Sequence, residues 1–420
     1  MIRIALRLFF LLIGSFVFSQ NGTTSPYSYA GLGELNFRGT QIIRFMGGLE
    51  IYNDSIHANL SNPSSYAKLK MTNYSLGLNY RINNLTGANE SKSLASAGLD
   101  YIGVALPTKF FGFGFGIIPY TSVGYKLSHL ESGTENEDVI NTFDGEGGVN
   151  KVFFSVGFNP VKYLSIGVTI NYNFGNIVYE TGRFQNEITL GTGLENKSSV
   201  SGLDFKFSSH LEIPLSDALE LQALFSLAPE ANLTSTNSRI FNTRSYLGAS
   251  NFGDDVQINL IDLGLNRTNI RIPHLLSFGF GLGEERKWFA GAQYTINAME
   301  NFSHKFISLP NVAYQNAYQF SLGGFYIPNY SSITSYWKRI VFRMGFRHEL
   351  TGVIVNNFGL KETGINFGFG LPLAGFSNAN IGFEYGSRRG EDDNLFKENF
   401  WSFRIGFSLN DKWFIKRKYN

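Results

Sequence analysis

Apolar and polar residues alternate with a period of two along most of this chain. A typical run sets Leu76 and Leu78 against Gly77 and Asn79, and glycine alternates with bulky apolar residues over 111–117. Successive side chains of a β-strand point to opposite faces, so each run predicts a strand with one apolar and one polar face. About fourteen such runs occur. An even number brings both ends of a closed sheet to the same side.

Charged residues recur on the polar face of these strands. They are Arg81, Lys206, Glu212, Arg343, Arg347, Glu349, Glu384 and Arg404. A charge on the lipid-facing side of a transmembrane barrel costs about 2–4 kcal/mol near the bilayer midplane, so the charged face must line the lumen. The apolar face then contacts lipid. The sequence therefore predicts an all-β fold, a transmembrane antiparallel β-barrel of about 14 strands.

The lumen charges carry both signs, and two arrangements are compatible with them. They form ion pairs across the lumen or with a plug, because an unpaired buried charge is costly. Alternatively, water in an open channel solvates them. Mixed signs argue against an ion-selective pore, which presents rings of one sign.

The connections between the predicted strands alternate in length. The short ones are 107–109, 159–162, 214–217, 283–286 and 373–376, with a longer one on the same side around 328–335. The long, polar ones are 128–148, 180–201, 228–273, 298–317, 349–362 and 387–399. In outer-membrane barrels tight turns face the periplasm and long loops face outward. We therefore expect both termini on the periplasmic side of the outer membrane.

The chain divides into three parts. Residues 1–19 have a charged start, an apolar run over 8–18 and small residues at Val17 and Ser19, which predicts a cleavable signal peptide. Residues 20–67 lack the wall periodicity, so we expect an N-terminal plug, or hatch, inside the barrel; a periplasmic tail is the alternative. Residues 68–420 are expected to form the barrel with its long extracellular loops.

Aromatic residues cluster at the predicted strand ends and indicate an interfacial girdle, although ordinary strand-end aromatics give the same pattern. They are Tyr120, Tyr163, Tyr179, Trp288, Tyr326, Trp337, Tyr385, Trp401 and Trp413.

Composition excludes several other functions. The net charge is only +2, which does not suggest a nucleic-acid partner, and the absence of cysteine removes thiolate chemistry, disulfides and a lipid-modified N-terminal cysteine. No two histidines have the i, i+4 spacing of a helical metal site, and no Gly-x-Ser-x-Gly motif occurs. We predict no enzyme activity, metal or cofactor.

One short motif precedes the first wall strand. Asn62 is a good helix cap and Pro63 suits a first helical position. Met46-Gly47-Gly48 followed by Asn62-Pro63-Ser64 and a strand resembles the N-terminal signature of the FadL-type long-chain fatty-acid transporter family. In that family an Asn-Pro-Ala motif lies in a hatch inside a fourteen-stranded barrel, and Ser64 stands here for the alanine. The segments 25–34 and 407–418 resemble outer-membrane barrels of the Bacteroidetes type.

The resemblance implies passive uptake of small hydrophobic compounds, although no match to ligand-contacting residues carries a substrate over. The same broad family includes barrel partners of type IX protein secretion, so the alternative is a non-transporting subunit of such an export assembly. Expected partners are therefore outer-membrane lipid and either a hydrophobic small molecule or a protein-export complex. A transporter requires an apolar pocket between plug and wall. A scaffold requires an exposed apolar patch, and charge pairs can seal its lumen.

Overall fold

The computed structural model describes residues 22–87, 90–131, 138–186, 188–245, 248–251, 255–307, 309, 311–373, 377–392 and 395–412. The predicted signal peptide, Trp413 and the turn residues 374–376 therefore lie outside the described residues. Among the described residues, no helix has both the length and the apolar character to cross a membrane.

Fourteen antiparallel strands form one closed barrel in this part of the chain, which confirms the predicted fold class. They are β1 (Thr72–Thr86), β2 (Ser91–Pro107), β3 (Phe111–Glu131), β4 (Val139–Val161), β5 (Leu164–Gln185), β6 (Leu190–Pro214), β7 (Leu219–Ala228 and Ala231–Ser245), β8 (Arg267–Ile272 and Leu275–Glu284), β9 (Trp288–Asn297), β10 (Ala317–Tyr326), β11 (Val341–Val355), β12 (Phe358–Pro372), β13 (Asn378–Arg389) and β14 (Lys397–Asp411). Each strand pairs with the next, and β14 pairs with β1 from Thr72↔Asp411 to Thr86↔Lys397. Both ends of the wall therefore lie at the rim that carries the short turns.

Alternation along the strands separates a lipid-facing surface from the lumen as predicted. Phe115 is 45% exposed on the outside, whereas Gly114 faces inward and is buried. The same contrast recurs around the wall, with bulky apolar side chains outside and glycine, serine, asparagine or charged residues inside. Two aromatic residues of the predicted girdle lie in the lumen instead. Tyr179 belongs to a buried lumen cluster, and Tyr120 lines a lumen cavity, where the Lys151 ammonium lies 3.7 Å from the centre of its ring.

Four of the predicted long loops are wrong. Strands run through most of these stretches, so the connections shrink to 132–138, 186–189, 356–357 and 390–396. The tightest is a two-residue turn in which Asn356 and Asn357 both have positive φ. The polar residues of these stretches keep the hydrogen-bond ladder, since pairing depends on the backbone and continues beyond the bilayer. Only the β7–β8 and β9–β10 connections stay long, and they contain short elements at Gly248–Asn251, Val256–Gln257, Met299–Asn301, Ser303–His304 and Val312–Tyr314.

The segment before the wall, residues 22–71, is compact and largely buried. Its elements are a 3₁₀ turn (Pro26–Tyr29), a two-residue strand (Glu34–Leu35), a one-turn helix α1 (Gln41–Arg44) and a 3₁₀ helix (Pro63–Lys68). We call it the N-terminal segment. Its side chains pack against inward-facing residues of the wall in four apolar clusters, with Tyr27, Leu32, Met46 and Leu60 as examples.

Candidate functional site

The 3₁₀ helix Pro63–Lys68 lies directly on the backbone of three adjacent strands. A Cβ atom added at Gly112 of β3 would be 1.8 Å from the carbonyl oxygen of Tyr66. One added at Gly167 of β5 would be 2.3 Å from the carbonyl carbon of Pro63. Gly157 of β4 faces the same helix. The alternation of phenylalanine and glycine therefore has a role on each face of the wall. Phenylalanine contacts lipid on the outer face, and glycine on the inner face lets this helix approach the strand backbone.

Asn62 joins this helix to the wall. Its Oδ1 accepts hydrogen bonds from the Ser64 N–H at 3.1 Å, from Ser64 Oγ at 2.6 Å and from Ser208 Oγ of β6 at 2.7 Å. The side-chain amide donates to the Glu50 carbonyl at 3.3 Å. Pro63 occupies the first helical position, and Asn62 and Ser64 are both fully buried. The Asn-Pro-Ser motif thus fixes the end of the N-terminal segment against β6.

A second close approach lies across the lumen at Met46 and Gly47. A Cβ atom on Gly345 of β11 would be 2.0 Å from the Gly47 nitrogen, and one on Gly323 of β10 would be 2.4 Å from the Met46 carbonyl oxygen. Gly47 itself has φ of +76°. The segment is therefore held between two glycine-lined surfaces of the wall.

Between these two surfaces lies a network of buried ions. It contains six arginines and six carboxylates that connect the segment to the wall: Arg38, Arg44, Arg81, Arg347, Arg388 and Arg404, with Glu34, Asp100, Glu349, Glu362, Glu384 and Glu398. At its centre, Arg388 contacts Glu34 and Glu362, each at 2.6 Å, and Glu398 at 3.2 Å. Equal numbers of each sign leave the network neutral, which is the condition for burying so many charges.

The predicted lumen charges all have partners. Arg81 contacts Glu34 at 2.7 Å, and the Lys206 ammonium contacts Glu50 at 2.8 Å. Lys68 contacts Glu212 at 2.7 Å. Of the two arrangements that the sequence allows, these side chains therefore adopt the paired one.

The remaining predicted charges lie on β11, β13 and β14. Arg347 contacts Glu349 at 2.8 Å and Glu384 at 3.1 Å. Arg404 contacts Asp100 at 2.6 Å, whereas Arg343 donates to the Asn380 side chain at 3.0 Å. Sequence reasoning missed seven members of the network: Glu34, Arg38, Arg44, Asp100, Glu362, Arg388 and Glu398. Three of these, Glu362, Arg388 and Glu398, lie in polar stretches whose composition predicts loops, and no apolar alternation marks those stretches as strands.

A smaller polar group fixes the segment near the short-turn rim. Tyr52 Oη donates to Asp54 at 2.9 Å, and His57 Nδ1 lies 2.5 Å from the same carboxylate. Burial opposes ionisation of Asp54, but His57 and two backbone N–H groups hold the pKa of this carboxyl well below its usual range. On its other side the His57 ring meets the Asn378 amide of β13 at 3.1 Å.

One seam of the wall is incomplete. Strands β2 and β3 pair only from Ile102↔Ile117 to Pro107↔Gly112. Within the described residues, 91–101 of β2 and 118–131 of β3 form no ladder with each other. Instead the two-residue strand Glu34–Leu35 of the N-terminal segment pairs with β3, with Glu34 opposite Ser122 and Leu35 opposite Thr121. The Asn36 N–H donates to the Tyr120 carbonyl at 2.9 Å, and the Gly124 N–H donates to Ser28 Oγ at 3.1 Å.

Two cavities flank residues 26–35 of the segment. One, of about 630 Å³, opens at the parted seam and is lined by residues that include Pro26, Leu94 and Leu127. The other, of about 240 Å³, lies between the segment and the wall. Its walls are mainly apolar, with Leu32, Leu35, Ile272, Leu275, Met299 and Phe302, and the ion network forms one edge through Glu362 and Arg388. Pro26 lines the first cavity, whereas Tyr27 and residues 30–35 line the second together with Tyr120 and Thr121 of β3.

The chain is similar to several solved channel structures. One is CymD, a monoaromatic hydrocarbon channel, with 13% identity, a TM-score of 0.57, and coverage of 90% of this chain and 99% of that chain. The toluene transporter TodX of Pseudomonas putida has 12% identity, a TM-score of 0.54, and coverage of 88% and 97%. A FadL homologue of Pseudomonas aeruginosa has 12% identity, a TM-score of 0.56, and coverage of 89% and 98%.

These likenesses confirm the predicted FadL-type fold, whereas the narrower Bacteroidetes type stays a prediction. A search of the curated proteins finds no match. The family model BamG matches residues 1–420, the whole length of the chain. The chain therefore belongs to the BamG family, and its fold is that of the FadL-type channels.

Proposed function

We propose that this protein is an outer-membrane barrel for the passive uptake of small hydrophobic compounds, with the N-terminal segment as its plug. The carrying observation is an apolar cavity beside a break in the wall: residues of the segment that line it, Glu34 and Leu35, pair with β3 at that break. A solute in this cavity has a short sideways route to the bilayer. The straight route to the periplasm is closed by the ion network and by the glycine-lined contacts below it.

A surface suited to capture lies above the cavity. Five apolar residues of β3, β4, β6, β7 and the β7–β8 connection stand at one level of the ladder: Leu127, Phe143, Leu194, Phe241 and Val256. On the inner face, this level lies two residues along the strands from the level of Tyr125 and Tyr179. Tyr125 packs on Tyr29 of the segment at a ring distance of 5.9 Å. Phe143, Phe241 and Val256 are exposed to solvent. An exposed apolar row at a barrel mouth favours binding of a hydrophobic solute.

The cavity limits the size of the solute. An apolar cavity of roughly 150 Å³ holds one benzene molecule. The 240 Å³ space here therefore suits one monoaromatic or similarly small hydrocarbon, rather than an extended acyl chain. The solved channels CymD and TodX carry names for monoaromatic hydrocarbons and toluene, which makes toluene a suitable probe.

Uptake of radiolabelled toluene by cells that express the protein tests this proposal. Ala317 of β10 lines the cavity, and Ala317→Phe should reduce uptake to the level of cells without the protein because the ring fills the space. Ala95→Phe makes the same chemical change on the exposed outer face of β2 and should leave uptake unchanged. Equal uptake with and without the parent protein would contradict the proposal.

One observation favours the alternative, a non-transporting subunit of a protein-export assembly. The ion network neutralises the lumen at mid-height, and a scaffold has no need of an open lumen. Under this alternative, affinity purification after crosslinking in intact membranes should recover a stoichiometric protein partner, while toluene uptake stays at background. Toluene uptake that depends on Ala317 would exclude it as the sole function.

A further inference from the structure

The connections at the two rims of the barrel have opposite charge. At the short-turn rim, the connections 108–110, 162–163, 215–218, 285–287, 327–340 and 373–377 hold six lysine or arginine residues and two carboxylates. At the opposite rim, the connections hold twelve carboxylates and one lysine. The connections of the short-turn rim therefore carry a net positive charge, contributed by four of the six, on a protein whose net charge is close to zero.

Four of the rim cations lie over aromatic rings. Lys109 lies over Phe110 at 5.1 Å and Lys162 over Tyr163 at 4.9 Å. Arg286 lies over Tyr330 at 5.3 Å, and Arg339 over Tyr336 at 5.5 Å. The four cations come from four different turns, and two of the rings, Tyr330 and Tyr336, belong to the same turn, 327–340. The other cation–ring contacts of the described residues lie in the lumen or at the outer mouth.

The longest turn of this rim, 327–340, is fixed to its neighbours. Its Ile327 N–H donates to the Lys287 carbonyl at 2.7 Å, and Tyr336 Oη donates to the Pro372 carbonyl at 3.1 Å. Despite these bonds it exposes two large apolar side chains, Ile333 at 98% and Trp337 at 75%. An ordered turn that presents apolar residues beside cations has the composition of a membrane-interface anchor.

We propose that this rim is a phospholipid-binding collar, in which the cations bind headgroup phosphates and the aromatic rings lie at the boundary with the acyl chains. Repetition around the perimeter favours a lipid surface over a protein, because a protein partner covers one side whereas a leaflet contacts every turn. Positive charge attracts the anionic headgroups of that leaflet. Cation–aromatic pairs hold each ammonium or guanidinium group at the depth of the phosphate.

The test uses a full-length variant in which Trp337 is the only one of the four tryptophans kept. This variant is reconstituted in vesicles of phosphatidylcholine with added phosphatidylglycerol. Quenching by brominated forms of each lipid reports which headgroup is enriched beside Trp337. We expect phosphatidylglycerol to be enriched about threefold or more over phosphatidylcholine at low salt, and the preference to fall as salt rises. The fourfold variant Lys109→Gln, Lys162→Gln, Arg286→Gln, Arg339→Gln should lose this preference.

A matched control removes four cations elsewhere: Lys92→Gln, Lys126→Gln, Arg183→Gln, Lys305→Gln, all exposed toward the opposite rim. It should keep the preference, and heat-dependent gel migration checks that both variants are folded barrels. Three results would overturn the proposal. If neither brominated lipid quenches Trp337, the rim lies in water and its surface is accessible to a protein partner. Both variants could behave alike. Inorganic phosphate could abolish the preference where sodium chloride at matched ionic strength does not, which would indicate a free-anion site.

Discussion

The β14–β1 seam and the β2–β3 seam of the same barrel are held in different ways. The first is a continuous ladder over the whole of β1. The second is a ladder only between 102–107 of β2 and 112–117 of β3, and beyond it the N-terminal segment forms hydrogen bonds with β3 over 120–124. Unpaired backbone at membrane depth is costly unless protein covers it. The N-terminal segment is therefore part of the wall at one seam and a filling of the lumen elsewhere.

The largest expected effect comes from removing that segment. Deletion of residues 24–58 should leave an inserted barrel, because thirteen of the fourteen ladders do not involve it. A barrel of this size without a plug encloses water, so single-channel conductance in a planar bilayer should rise about tenfold or more. The intact protein provides the reference. Equal, low conductance of the two proteins would show that loops or wall side chains close the lumen.

A smaller effect is expected when Arg388, which binds Glu34 of the two-residue strand Glu34–Leu35, loses its charge. Arg388→Ala leaves Glu34, Glu362 and Glu398 buried without their shared partner, which should cost about 3–5 kcal/mol. The temperature at which the folded gel band converts to the unfolded one should fall accordingly. Lys361→Ala breaks an exposed pair with Glu391 and should change stability by no more than about 1 kcal/mol. A similar result for both variants would mean that the network does not fix the segment.

The smallest of these effects concerns the paired base of the same seam. Gly112 pairs with Pro107 there and contacts Tyr66, so Gly112→Val should displace the 3₁₀ helix at a cost of about 1–3 kcal/mol. Gly98 lies in the part of β2 that does not pair with β3, and a Cβ atom there would come no closer than 3.8 Å to the Asn79 side chain, so Gly98→Val should be nearly neutral. Protease sensitivity of the segment in detergent measures the difference. Equal sensitivity of the two variants would contradict the close approach at Gly112.

Much of the wall could be predicted from sequence because barrel strands alternate with a strict period of two. Thr72–Thr86 and Lys397–Asp411 show this period directly. The ends of the strands could not be predicted, because the residues there are polar on both faces. They continue the hydrogen-bond ladder but do not alternate between apolar and polar types. The stretch that contains Arg388 and Glu398 was assigned to a loop for this reason.

The open seam could not be predicted either. The alternation predicts a strand only from near Leu99, and nothing in residues 91–101 shows that one neighbouring strand is absent. The break coincides with irregular pairing on both sides, where the register shifts between Gly77 and Leu78 and again between Pro119 and Thr121. Such shifts depend on pairing partners far along the chain. At the candidate site, the sequence predicts the lumen charges and the Asn62 helix cap, but it does not predict which residues they contact.

The most direct test of sideways exit closes the β2–β3 seam with a covalent link. The chain has no cysteine, so Leu94→Cys with Leu127→Cys provides two unique thiols on opposite sides of the seam cavity for a bismaleimide. The control, Ser387→Cys with Asn399→Cys, links neighbours across the continuous β13–β14 ladder. The account predicts that the seam link abolishes toluene uptake and that the control link leaves it unchanged. Full uptake through a barrel linked at the β2–β3 seam would contradict it.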